Sequence, residues 1–394
     1  MDKELFIQYQ FERVIVMRKA LICPTRYVQG EDELLNLGYF VKTFGNKAMI
    51  VARKEDVDRV RTQLESTAKK FGVSFIESGF CGQCTRKEIA RIEKLAAEKD
   101  CSVIIGLGGG KALDTAKCVA KGERLIIVPT IAATDAPTSH SAVMYHEDNS
   151  FDDYAYFKQS PSVVLVDTKV IAQAPTRFLV SGMGDALSTY FEARATHHSY
   201  SRVNAGLPCG EHTGECDIAR GTNAALALAK TCYESLLEDG LKAKESCDCN
   251  LVTPAFENIV ETNILLSGLG FESGGLSAAH AIYDGLSIIE ETHAYYHGEQ
   301  VAFGTLCQLV LEDAKKEEFI TVLDFCLSVG LPVCLEDIGV KEIDMDQIHK
   351  VAEKACIVEE SIHSMPCPIT VDGVANAIVV ADRIGHHYKE NHTL

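Results

Sequence analysis

The chain has 394 residues, 46% of them hydrophobic, so it is long enough to bury a large core and divides more naturally into two domains than one. Its formal charge of −18 argues against a general nucleic-acid or anionic-membrane surface, because an acidic field repels phosphate at long range. There is no apolar run long enough to span a bilayer, and the opening MDKELFIQYQFERVIVMRKA mixes charge with apolar residues, unlike a secretory signal, so a cytoplasmic protein is expected.

From residue 1 to about 175, short β-branched runs alternate with charged helical stretches, the rhythm of a parallel α/β layer. Ala48-Met49-Ile50-Val51 predicts a buried strand and Val57 to Phe71 a helix. Val73 to Ile76 predicts the next strand, and Thr85 to Lys99 a helix with Ile89, Ile92, Leu95 and Ala96 along one face. Ser102 to Ile105 leads as a strand into a glycine cluster, a helix starts near Lys111, and Leu125 to Val128 and Val163 to Val166 are further strands. After Pro175 the texture changes to Ala- and Leu-rich helical windows, among them Ala224 to Leu237, Ala255 to Leu269, Gly304 to Leu311 and Val374 to Ile384. A helical domain is therefore expected over 176–394, behind an α/β domain over 1–175. Residues 199–221 read as an irregular excursion, and no internal repeat is visible.

Fifteen cysteines, an odd number without regular spacing, read as reduced and mostly buried thiols rather than a disulfide scaffold. Cys81-Gly-Gln-Cys84 has the form of a CxxC, and Cys209, Cys216, Cys247 and Cys249 are close enough in sequence to suggest a metal set. Without a second CxxC or a His pair at zinc-ribbon spacing, neither carries much weight.

Two loops carry more chemistry. Ile104-Ile105-Gly106-Leu107-Gly108-Gly109-Gly110-Lys111 runs from a strand into a helix, where glycine lets the backbone approach a pyrophosphate and the helix start offers free N–H groups. It departs from GxGxxG and does not follow the first strand, so a tight packing turn is the competing reading. Lys111 and Asp114 flank this cradle. Pro129 to Ser141, with Thr130, Asp135, Ser139 and Ser141, follows the strand ending at Val128. In an open parallel sheet it faces the same crevice, bringing hydroxyls and one carboxylate; an ordinary capped turn is the alternative. Asp185, His280 and His297 stand far apart in helical windows, and each alone is weak evidence for a metal.

Taken together, GGGKALDTAK, VPTIAATDAPTSH, GMGDALSTYFEA, GFESGGLSAAHAIYDGL and HAYYHGEQVAFGTL occur in an order that resembles the glycerol dehydrogenases of the iron-containing (group III) alcohol dehydrogenase superfamily, from about residue 18 to the C-terminus. The resemblance implies an α/β fold of dehydroquinate synthase-like type: a Rossmann-like N-terminal parallel-sheet domain and an all-helical, metal- and substrate-binding C-terminal domain. It implies a divalent metal, zinc before others, held by Asp185, His280 and His297, which also meet the substrate. Asp135 is the implied polyol contact in catalysis, and His293 is implied in proton release, a structural role being as well supported. Gly108, Gly109, Gly110, Lys111, Asp114, Thr130, Ser139, Ser141 and Tyr145 are implied to line the cofactor. The implied reaction is reversible oxidation of glycerol, or a related vicinal diol, to dihydroxyacetone by hydride transfer to NAD in a homo-oligomer.

Other readings stay open. Where the superfamily often has an acidic residue after the strand Ala48 to Val51, this chain has Ala52-Arg53-Lys54, which leaves an NADP-linked diol or alcohol dehydrogenase open. A 3-dehydroquinate synthase-like lyase would need Lys and Arg clustered around a phosphorylated substrate, and no such cluster is found; glycerol-1-phosphate dehydrogenase is disfavoured by the hydroxyls and carboxylate of the Asp135 loop. Residues 1–17 and the stretch 205–217 look like additions to the family pattern.

Overall fold

A computed structural model of the chain describes residues 18–206 and 219–391. Residues 1–17, with Cys209 and Cys216 of the excursion, lie outside the described residues. The strands are β1 (Lys19–Ala20), β2 (Tyr27–Gly30), β3 (Lys47–Val51), β4 (Ser74–Glu77), β5 (Val103–Gly108), β6 (Leu125–Pro129), β7 (Ser141–Tyr145), β8 (Phe151–Tyr156), β9 (Val163–Asp167) and β10 (Arg220–Gly221). Six of them form one parallel sheet in the order β2-β9-β6-β5-β3-β4.

Every strand expected from the β-branched runs is present. The helix expected over 57–71 is two, Lys54–Arg59 and Arg61–Phe71, because Val60 leaves the helical region with φ −115° and ψ 14°. The next helix, Arg86–Glu98, starts where expected, with the Thr85 hydroxyl accepting the Glu88 N–H at 3.2 Å. Edge strand β2 and the antiparallel hairpin β7–β8 were not anticipated.

Alternation along the central strands sends their side chains to two cores. Ala48, Ile50, Ile105, Leu107, Ile126, Val128 and Leu165 pack on one face. Met49, Val51, Ile104, Ile127, Val164 and Val166 pack on the other, in an apolar cluster that continues into the helices beyond residue 175. Those helices include Thr176–Ser199, Asn223–Asp248, Pro254–Glu261, Ala278–Leu286, His297–Leu311 and Val371–Asn391. Thr262–Leu266 is a turn of π-helix that leads directly into the helix Ser267–Gly274. The described part after residue 175 is helical apart from β10, whose two residues pair with β1.

One close contact positions the site. The helices Thr176–Ser199 and His297–Leu311 meet backbone to backbone: a Cβ on Gly184 would collide with the Gly298 carbonyl, and a Cβ on Gly298 with the Ser181 carbonyl. Arg177 reinforces the pair, donating from Nε and Nη2 to the two Glu299 oxygens at 2.6 and 2.8 Å. Glu299 also accepts the Tyr296 N–H at 2.8 Å, closing the start of the second helix. At an open helical position Gly→Ala stabilises by about 1 kcal/mol. Gly298→Ala is expected instead to destabilise by about 3 kcal/mol, from overpacking against a backbone that has nowhere to move. Thermal or denaturant unfolding checks the sign, and a midpoint equal to or above that of the parent would refute the contact.

Candidate active site

The backbone contact brings Asp185, in the buried middle of its helix, against His297 at the first residue of the other. His280, near the start of Ala278–Leu286, completes the group. Asp185 Oδ1 lies 3.4 Å from His280 Nε2 and 3.3 Å from His297 Nε2, and the three ligand atoms all fall within 4.8 Å of one another. That Oδ1 is buried without a hydrogen-bond partner, although the other oxygen accepts the Asp135 N–H at 3.3 Å. A buried acceptor left without a donor costs about 1–3 kcal/mol, more if charged. Beside two imidazole nitrogens it fits a divalent cation.

The ligands are themselves held. His280 Nδ1 sits 2.6 Å from Glu192 Oε2, while Glu192 Oε1 accepts the N–H groups of Ser277 and His280 at 2.8 and 3.1 Å. Glu192 thus turns the ring so that Nε2 faces Asp185, the carboxylate–histidine–metal arrangement. Gln308 Oε1 fixes the same helix start by accepting the Ala278 and Ala279 N–H groups at 3.1 and 3.0 Å. The Tyr283 ring stands nearly perpendicular to His297, with centroids 4.4 Å apart. Burial alone would raise the Asp185 carboxyl, but the His297 and His280 imidazoles outweigh it and hold the group below its ordinary range. Burial opposes charge on His280 as well, and the Glu192 and Asp185 carboxylates outweigh it, raising the imidazole well above its ordinary value. The pocket favours positive charge between these carboxylates.

The loop after β6 carries Asp135 to the same place. Its Oδ2 accepts the Ser267 hydroxyl at 2.7 Å, and burial followed by the Asp185 charge pushes its carboxyl well above the usual range. The π turn docks this loop. Thr138 donates to the Ile264 carbonyl at 3.2 Å, and Asn263 Nδ2 bridges the Ala132 and Leu179 carbonyls at 3.0 Å each. Glu272 accepts the His140 N–H at 2.7 Å. Lys117, 1% exposed, anchors the inside of the loop: Nζ donates to the Ala136 carbonyl (2.6 Å), the Ser141 carbonyl (2.8 Å) and the Ser139 hydroxyl (2.9 Å), and forms an ion pair with Asp114 at 3.2 Å.

The glycine turn lies beside this loop, since Gly108 of β5 pairs with Pro129 of β6. Gly108 has φ +139°, a conformation only glycine adopts freely, and Gly109 caps the helix Gly110–Ala120. No atom lies within 4 Å of where a Gly110 Cβ would project, so the helix start is open. Lys111 Nζ lies 5.4 Å from the Tyr145 ring centroid, and the Thr130 hydroxyl, just past β6, donates to Asp56 at 3.2 Å. Gly108, Gly109, Gly110, Lys111 and Thr130 thus stand at the carboxyl ends of β5 and β6, with Tyr145 of β7 beside Lys111, while the Ser141 hydroxyl donates to Ser139 at 3.4 Å.

Three more of the expected residues have contacts within the protein. Asp114 and Ser139 are buried and turn inward to Lys117, with Asp114 also accepting the Val143 N–H at 3.2 Å. His293 is exposed, bonds the Ser287 carbonyl through Nε2 at 2.8 Å, and stands outside the Asp185 cluster. The CxxC is split: Cys81 is exposed, and Cys84 packs with Cys118, Ala142 and Met144. Among the described residues, one further group has ligand atoms within 4.8 Å, Cys334, Asp382 and His386, where Asp382 accepts the Leu335 N–H at 2.8 Å and so serves as a helix cap.

The model for iron-containing alcohol dehydrogenase matches residues 24–168. Glycerol dehydrogenase of Thermotoga maritima is 45% identical over 377 residues, 95% of this chain and 99% of that one. Glycerol dehydrogenase of Escherichia coli O6:H1 is 44% identical, covering 94% and 99%. The crystal structure of glycerol dehydrogenase from Schizosaccharomyces pombe superposes with a TM-score of 0.88 at 34% identity, over 95% of this chain and 93% of that one. The chain belongs to the iron-containing alcohol dehydrogenase family. Like its relatives, this family member is an oxidoreductase.

Glu192, Lys117, Asn263 and Ser267 were not singled out in the sequence. One signal was available: Glu192 lies seven residues after Asp185, two turns along the same face of a helix buried nearly all round. Glu192→Gln is expected to weaken divalent-metal binding about 10- to 100-fold, read with zinc as the probe ion by competition with a coloured chelator; unchanged affinity would remove Glu192 from the site. Lys117→Met leaves Asp114 buried without its cation and is expected to cost about 3 kcal/mol of stability, read by denaturant unfolding. A loss below 1 kcal/mol would show that the loop does not depend on the ammonium.

Proposed function

We propose that the chain is a zinc-dependent glycerol dehydrogenase, which oxidises glycerol reversibly to dihydroxyacetone with NAD as hydride acceptor. The observation that carries this reading is the buried, partnerless Oδ1 of Asp185 facing the Nε2 atoms of His280 and His297, beside a loop that presents a carboxyl group. When bound, the ion supplies Lewis acidity that favours the alkoxide of a secondary alcohol, and the dinucleotide takes up the hydride.

The protein does the rest by placement. Asp185, His280 and His297 hold the ion and leave coordination open. Asp135, held by the Ser267 hydroxyl on the loop beside Asp185, places its carboxyl group to hydrogen-bond the second hydroxyl of a vicinal diol. The open N-terminus of Gly110–Ala120 receives the pyrophosphate, and Lys111 neutralises it. Lys117 and the π turn hold the loop between the two sites at fixed spacing, which is what hydride transfer needs from a scaffold. The same family reading makes the protein cytoplasmic and homo-oligomeric; no helix among the described residues is long and apolar enough to cross a membrane.

Asp185→Ala and His280→Ala are each expected to abolish glycerol-dependent reduction of NAD and to release zinc, while NAD still binds, as followed by calorimetry. Full turnover in either variant would overturn the assignment of the metal.

A further inference from the structure

The crevice for a dinucleotide in an open parallel sheet lies where the connections leave two neighbouring strands in opposite directions. Here those strands are β3 and β5. The chain leaves β3 through Lys54–Arg59 and Arg61–Phe71 to β4 on one side, and leaves β5 through Gly110–Ala120 to β6 on the other. Val51 pairs with Gly106, so Arg53, two residues past β3, stands level with the glycine turn at Gly108.

Three observations define the charge there. Arg53 has no carboxylate within ion-pair distance among the described residues, and its guanidinium is steadied only by the Gly82 carbonyl at 3.3 Å. Lys111 shares the space: its ammonium is disfavoured first by partial burial and then by the positive charge of Arg53. Asp56, half-buried, accepts the Thr130 hydroxyl through Oδ1, and its Oδ2 lies 3.2 Å from where a Gly108 Cβ would stand, against the turn rather than beside Arg53. Among the described residues Arg53 is therefore the cation left without a counter-ion at the end of β3.

An acidic residue at this place bonds the 2′-hydroxyl of the adenosine ribose and repels a 2′-phosphate, whereas a guanidinium pairs with that phosphate through two parallel hydrogen bonds. We propose that Arg53, with Lys111 beside it, forms a 2′-phosphate subsite, so that the enzyme takes NADP(H) as well as NAD(H) and binds the phosphorylated form more tightly. This deepens the cofactor assignment made above and rests on it.

Calorimetric titration of the zinc-loaded protein with adenosine 2′,5′-bisphosphate and with adenosine 5′-monophosphate tests the subsite without turnover. The bisphosphate is expected to bind about tenfold tighter or more, the scale of one charge-assisted pair. Arg53→Asp is expected to erase or invert that ratio, and Arg53→Lys to keep part of it. Because the readout is a ratio within each variant, partial loss of folded protein does not mimic the result. Equal affinities in the parent, or a ratio unmoved by Arg53→Asp, would overturn the subsite while leaving the dinucleotide site in place. Failure of both ligands to bind the parent would overturn the dinucleotide assignment and the subsite with it.

Discussion

Everything at the centre of this protein is arranged around one buried carboxylate oxygen. Asp185 Oδ1 is enclosed by packed helices, has no donor of its own, and faces two imidazole nitrogens at 3.3 and 3.4 Å. In a low-dielectric interior such an atom demands positive charge. The two imidazoles answer part of that demand, but Glu192 adds a second carboxylate behind His280 and Asp135 a third carboxyl close by. A fold that concentrates acid in its interior in this way is tolerable only if a cation belongs there.

The demand is enforced by backbone packing. The two helices that carry Asp185 and His297 touch at Gly184 and Gly298, and the Arg177–Glu299 pair locks their relative slide. Packed interiors transmit displacement with little compliance. The third ligand arrives on a separate helix whose start is capped by Gln308, from the same helix as His297. Ligand geometry is thus inherited from helix–helix contacts, and the charged groups are the consequence of a fit made by small residues.

The second constraint is the loop after β6, which has to serve both halves of the reaction. Its outer side joins the crevice at the ends of β5 and β6, and its inner side is nailed down by a buried ammonium and by a π turn that offers the Ile264 carbonyl and the Asn263 amide. The π turn is a local defect in helical hydrogen bonding. Here the defect supplies the bonds that hold the loop after β6 against the helices beyond residue 175. The two ends of the cleft differ in sign: acidic at Asp185 and Glu192, cationic at Arg53 and Lys111. That polarity matches a metal at one end and phosphates at the other.

Much of this was legible in the residues alone. Continuous apolar runs such as Ala48 to Val51 and Leu125 to Val128 specify buried strands because both faces of a parallel sheet are covered, and the helical texture after Pro175 follows from composition. The glycine turn declares itself because only glycine accepts the φ of Gly108. The hairpin Ser141–Tyr156 and the edge strand Tyr27–Gly30 did not, since short, half-exposed strands carry no continuous apolar pattern. Asp185, His280 and His297 were visible as residue types but not as a cluster, because positions up to 112 apart in sequence meet only through the helix contacts at Gly184 and Gly298. The bonds from Lys117 to Asp114 and Ser139, and from the His293 ring, expected in proton release, to the Ser287 carbonyl, were likewise invisible in the sequence. Sequence determines local conformation and the inventory of chemical groups. Which groups face one another, and which are left without a partner, depends on distances between distant segments, and only the folded chain sets those.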